Sequence, residues 1–144
     1  MAHPIAIGGV HHLRLTVTDV NRSRTFYTSL LGFDVAAEMP PASDPSYDAV
    51  NAILFGGVVL IKGTLLLGLR PVAQQGDRFD ENRVGLDHLS FSVSSREEIE
   101  QAARLLDERG IAHGEMTALP SFGIYILEFR DPDNIQLELT APYG

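Results

Sequence analysis

Two histidines in this chain sit in near-copies of one segment, GVHHLRLTV (Gly9 to Val17) and GLDHLSFSV (Gly85 to Val93). Glycine, histidine, leucine and valine recur at equivalent places, 76 positions apart. Both segments alternate apolar and polar residues, the pattern of a half-buried strand. In the first, Leu13, Leu15 and Val17 point one way and His12, Arg14 and Thr16 the other. In the second, His88, Ser90 and Ser92 share the polar face. A third run near the end, IQLELTAP, alternates likewise, with Gln136, Glu138 and Thr140 on its polar side and Leu137 and Leu139 on the other. Two imidazoles and a carboxylate on strands are a donor set for one divalent ion. Mixed nitrogen and oxygen donors suit Fe2+, Mn2+, Zn2+, Ni2+ or Co2+. Three protein ligands leave positions open for water and substrate, as catalytic metal sites do.

These side chains need a scaffold, and the sequence reads as one written twice. After the first strand, TDVNRSRTFYTSLLGF predicts a helix capped by Thr18 or Asp19, burying Phe26, Leu30 and Leu31 and stopping at Gly32. Residues 33–39 follow, then a proline-rich loop over 40–49 that contains Tyr47, then three strands over 50–55, 58–61 and 64–69. Residues 70–84 form a polar, solvated connector. The second strand, over 86–93, leads into SSREEIEQAARLLDERG, a helix with a Ser95/Glu98 capping box, a buried stripe of Ile99, Ala102, Ala103, Leu105 and Leu106, and a stop at Gly110. Strands over 111–116, 124–129 and 135–140 complete it, with turns at 119–121 and 131–134. The expectation is an α+β fold: one domain over 1–144, built from two βαβββ modules, about 8–70 and 85–142, joined by a connector over 71–84. Apolar residues go to the helices, and the polar side of each curved mixed sheet lines a cup.

Composition narrows the chemistry. Without cysteine there is no thiolate metal site, disulfide or cysteine nucleophile, and a cytoplasmic location is expected. Net charge is −8, and the single lysine, Lys62, and the scattered arginines make no surface for nucleic-acid phosphates. No apolar run is long enough to span a membrane. MAHPIAIGG lacks the basic and apolar regions of a secretion signal. His11 is expected on the face opposite His12, His113 at the surface or as a base, and His3 in a frayed tail.

At three places the residues carry a family resemblance. HHLRLTVTDVNRSRTFYTSLLGF resembles the opening of the vicinal oxygen chelate superfamily (glyoxalases, bleomycin resistance proteins, extradiol dioxygenases), with its histidine, V-x-D, serine, F-Y and L-G-F. GLDHLSFSV resembles the opening of the second module, and FRDPDNIQLEL the closing F-x-D-P-D-G-x-x-x-E-L. The resemblance implies a metal held by His12, His88 and Glu138, and a homodimer. It also implies a small substrate that chelates the metal through two oxygens, in lyase, isomerase or dioxygenase chemistry. Glu138 and Arg14 would be catalytic, Arg14 holding a carboxylate or enolate. Thr16, Ser90, Ser92, Tyr125 and Gln136 would line the substrate pocket. Gly68 stands where glyoxalases and epimerases place a fourth ligand, and Glu128 where extradiol dioxygenases place a tyrosine. The alternative is a drug- or metabolite-sequestering protein like the bleomycin resistance proteins, whose cationic ligand an acidic surface would suit.

Overall fold

The computed structural model describes residues 3–144; Met1 and Ala2, where the stretch read for a secretion signal begins, lie outside them. Strand β1 (His12–Thr16) starts at the first repeated histidine. It leads into α1 (Val20–Thr25), whose N-cap Asp19 accepts the Arg22 amide at 3.0 Å. The last turn, Phe26–Leu30, winds as a π-helix. The buried stripe runs through Ser23 and Tyr27, one position round the helix from the predicted Phe26, Leu30 and Leu31, which are half-buried. Tyr27 wins the core because it packs edge-to-face on Phe33, ring centroids 6.1 Å apart.

Strands β2 (Asp34–Glu38), β3 (Val58–Lys62) and β4 (Leu65–Arg70) complete the first sheet in the order β1-β4-β3-β2, with β1 parallel to β4. The expected strand over 50–55 is instead helix α2 (Tyr47–Leu54). The β-branched Val50 and Ile53 suggested a strand, but the ends of the segment decide otherwise. Asp44 Oδ1 accepts both the amide and the hydroxyl of Ser46, at 2.8 and 2.6 Å, which turns the chain into the helix. Phe55 and Gly56, both at positive φ, end it. Gly57 then lets the chain pass β4: a Cβ there would lie 2.0 Å from the Leu69 carbonyl oxygen.

The second unit repeats the plan. Strand β5 (Leu89–Ser92) is followed by α3 (Arg96–Glu108), whose N-cap Ser95 accepts the Glu98 amide at 3.3 Å. Glu98 returns the contact one residue early, accepting the Ser94 amide at 2.7 Å. Ile99 and Leu106 form the buried stripe, Ala102 and Ala103 flank it, and Leu105 turns outward. The expected strand over 111–116 reduces to one bridge, His113 to Phe129, and β6 forms later, at Thr117–Leu119. Strands β7 (Ile124–Arg130) and β8 (Gln136–Pro142) follow, in the order β5-β8-β7-β6 with β5 parallel to β8. The helix-covered face buries Leu127, Phe129, Leu137, Leu139 and Ala141. Each such large side chain contributes about 1.5–3 kcal/mol.

The chain divides into two compact units, one ending at Gly76 and the other running from Asp77 to Gly144. The connector is exposed as expected, yet its second part is pinned to the closing turn. Phe79 donates to the Asp133 carbonyl at 2.9 Å, and Asn134 Nδ2 donates to the Phe79 carbonyl at 3.0 Å. Arg130 grips both oxygens of Glu81, at 2.8 and 3.0 Å, and holds that carboxyl down at about 2. Asn134 takes φ 66°, the left-handed conformation that asparagine tolerates in place of glycine. Among the described residues no helix is long and apolar enough to cross a membrane.

His113 has a structural task. Its Nε2 donates to Asp107 at 2.6 Å and its Nδ1 to the Gly114 carbonyl at 2.6 Å, which ties the end of α3 to β7. The Asp107 bond, then the carbonyl, raise its pKa above the ordinary 6.5. A raised folded-state pKa stabilises the fold fully below 6.5, and that contribution is lost as pH rises through the folded value. His113→Gln should therefore lower the urea midpoint clearly at pH 5.5 and far less at pH 9. Equal losses at both pH values would show that the charged form contributes nothing.

Candidate functional site

The second unit brings two candidate ligands together. Parallel pairing sets Ser90 opposite Glu138 and Ser92 opposite Thr140, so the four share the face turned from α3. His88 immediately precedes β5. Its Nδ1 meets Asp87 Oδ1 at 2.5 Å, and its Nε2 lies 3.8 Å from Glu138 Oε2. A carboxylate on Nδ1 fixes the proton there and leaves the Nε2 lone pair free. Thr140 donates to Glu138 Oε1 at 3.1 Å, and Ser90 Oγ stands 2.5 Å from Thr140 Oγ1. Because the Thr140 proton is committed to Glu138, Ser90 is the donor of that second bond. The relay anchors one carboxylate oxygen and leaves the other facing His88.

Gln136 belongs to the support of this pair. Its Nε2 donates to the Asp87 side chain at 3.0 Å and to the Asp87 carbonyl at 3.2 Å, while its Oε1 accepts from Arg130 at 3.3 Å. The amide expected to meet substrate is thus committed to holding Asp87. Tyr125, also expected in the pocket, pairs with Ala141 and so lies on the helix-covered face. There it packs on Tyr143, ring centroids 4.9 Å apart, with the Arg96 guanidinium 5.5 Å from its ring. A shift of one residue along a strand reverses the face, which accounts for the correction.

The first unit keeps the register and changes the chemistry. Arg14 pairs with Gly68 as Ser90 pairs with Glu138. A Cβ on Gly68 would lie 2.9 Å from Arg14 Cγ, so the stem of Arg14 fills the space a fourth ligand would need. Arg14 Nη2 donates to the Ile53 carbonyl at the end of α2, at 2.6 Å. A cavity of about 220 Å³ opens here, lined by His12, Arg14, Ile53, Leu54, Val59, Leu66 and Gly68. His11 Nδ1 lies 2.9 Å from His12 Nδ1. His11 precedes the strand, so strand alternation does not send it to the opposite face as expected. The two repeats therefore agree in a detail unread in the sequence. In each, the residue before the candidate ligand histidine engages its Nδ1, and the matched positions of His11 and Asp87 were the signal.

His88 and Glu138 fit a divalent ion. Two bonds of about 2.1 Å span more than their separation, so one ion can bridge them. Thr16 and Ser92 end their strands exposed, on the faces of His12 and His88. Among the described residues no group of three or more histidine, aspartate or glutamate side chains stands together as a metal cage.

The model of the Glyoxalase/Bleomycin resistance protein/Dioxygenase superfamily matches residues 9–139. The chain is similar to YwkD of Bacillus subtilis, 28% identical over 131 residues, covering 90% of this chain and 94% of that one. It is also similar to the solved glyoxylase/bleomycin resistance protein/dioxygenase domain from Frankia sp. EAN1pec, 30% identical, with a TM-score of 0.71 and coverage of 96% and 95%. The fosfomycin resistance protein FosX of Listeria monocytogenes shares the fold, with a TM-score of 0.71, 18% identity and coverage of 95% and 93%. With its paired four-stranded sheets and its match from the first repeat to the closing strand, the chain belongs to the Glyoxalase/Bleomycin resistance protein/Dioxygenase superfamily.

Proposed function

We propose that this chain is a metal-dependent enzyme acting on a small oxygen-chelating substrate, by lyase, isomerase or dioxygenase chemistry, with His12, His88 and Glu138 as ligands of one divalent ion. The observation that carries the reading is the His88–Glu138 pair, 3.8 Å apart, with Asp87 behind the imidazole and Thr140 behind the carboxylate. Such support is what a ligand pair needs to keep its geometry. A divalent ion (Fe2+, Mn2+, Zn2+, Ni2+ or Co2+) would polarise a substrate oxygen as a Lewis acid. Gly68 keeps the protein ligands at three, leaving room for two substrate oxygens. Arg14 holds the substrate carboxylate or enolate, and the hydroxyls of Thr16 and Ser92 offer further hydrogen bonds.

The working form in this reading is a homodimer in which His12 of one chain joins the partner subunit's His88 and the partner subunit's Glu138. Its support is topological. The opening strands, β1 and β5, are edges of their sheets, and an unpaired edge invites another strand.

Elemental analysis of protein purified without a nickel column should find one divalent ion per chain. Metal-free protein that still binds a drug-like cation would replace this reading with the sequestering one. Glu138→Ala should abolish metal binding and leave the far-ultraviolet circular dichroism unchanged, because the core lies on the other side of β8. Glu138→Gln should retain part of the affinity through its amide oxygen. Unchanged metal content in Glu138→Ala would remove the glutamate from the ligand set.

Asp87→Ala should weaken metal affinity by about 10–100-fold, the usual loss for a group that orients a ligand histidine. Direct titration of the metal-free protein measures it, and affinity equal to wild type would exclude the role.

Mixing His12→Ala and Glu138→Ala chains should restore one metal site per heterodimer. No recovery, with subunit exchange shown by mass spectrometry, would reject the shared site.

A further inference from the structure

The first unit sets beside Arg14 a second arginine, Arg70, that the metal reading does not use. Arg70 ends β4 and pairs with Thr16, so it lies on the same face as Arg14. Both guanidiniums approach the ring of Phe55, with Cζ 4.0 Å from its centroid for Arg70 and 5.7 Å for Arg14. Phe55 holds φ 53°, a left-handed conformation that is rare for a bulky residue and recurs at ligand sites.

Beyond the ring, no carboxylate among the described residues answers the charges of the pair. Arg14 donates to one carbonyl, and Arg70 Nε is buried with no hydrogen-bond partner. Among the described residues no carboxylate pairs with either, whereas Arg24, Arg96 and Arg130 each hold a glutamate. Arg14 is exposed, as Arg104 and Arg109 are, but Arg70 is half-buried. The ring face attracts each cation and holds both to one platform, while a buried guanidinium N–H without an acceptor is costly. In a chain of net charge −8 this is a local excess of positive charge. Beside it lies the cavity of about 220 Å³, walled by Ile53, Leu54, Val59 and Leu66.

We infer that Arg14 and Arg70, on the Phe55 platform, form an oxyanion subsite for a carboxylate, phosphate or phosphonate group whose small apolar body fills the neighbouring cavity. The inference rests on reading this face as the substrate pocket and assigns the substrate a negative charge and an apolar part. It requires no metal.

The test is calorimetric titration of phenylphosphonate, and separately of inorganic phosphate, into wild type, Arg70→Lys and Arg70→Met at constant ionic strength with EDTA present. Saturable binding is expected, tighter for phenylphosphonate than for phosphate. Arg70→Met should weaken it at least about tenfold, the scale of one charge-assisted hydrogen bond, with Arg70→Lys in between. A second measurement needs no variant: phenylphosphonate should protect Arg70 from phenylglyoxal, read by peptide mass. Equal affinity in a folded Arg70→Met, no saturable binding below about 10 mM, or no protection of Arg70 would overturn the inference. Metal content of the same wild-type preparation separates the two readings: metal-free protein with Arg70-dependent anion binding removes the enzyme and keeps the subsite.

Discussion

Parallel pairing between the first and last strands of each unit is the constraint on which the rest depends. β1 lies beside β4, and β5 beside β8, at equivalent registers: Arg14 faces Gly68, and Ser90 faces Glu138. Parallel neighbours need a long crossover. Here α1, β2, α2 and β3 supply it in one unit, and α3, β6 and β7 in the other. The crossover also delivers a helix to one side of each sheet, so the remaining side is left for polar groups. A slip of one residue in β8 would turn Glu138 into the core and Leu137 and Leu139 outward.

Around that register the second unit manages an electrostatic difficulty. Glu128 and Glu138 face each other directly across β7 and β8. Like charges at such a position destabilise a sheet. Arg130 draws one of them aside, its Nε 2.6 Å from Glu128 Oε1, while its other nitrogens hold Glu81 and reach Gln136. The guanidinium thereby links the connector, the closing turn and the support of Asp87. It offsets one negative charge and leaves Glu138 as the carboxylate facing His88 Nε2. Five donors in a planar fork make arginine suited to this, and a lysine could not make all these contacts at once.

The two units show how a duplicated frame diverges. One side-chain position carries a carboxylate in β8 and nothing in β4. The loss is structural as well as chemical, because the space above Gly68 is what admits the stem of Arg14 and brings its guanidinium to the end of α2. One sheet presents acid and hydroxyls, the other arginine and an apolar wall.

Much of this was legible in the sequence. The 76-residue repeat, period-two alternation and capping residues determined the strand-then-helix opening of each unit, the core leucines of β8, and the faces of His12 and Glu138. Those features are local, and each is written in neighbouring residues. Tertiary structure alone decided the rest. Residues 47–54 became a helix because contacts at their ends, including that of Arg14 with the Ile53 carbonyl, outweighed the β-branched residues between them. Residues 111–116 lost their strand because a single bridge is all they find beside β7. Tyr125 turned to the helix side because pairing with Ala141 dictates the face. The tasks of Asp87, Gln136 and Arg130 are likewise tertiary, since each depends on hydrogen-bond partners that the fold brings together from up to 49 positions away.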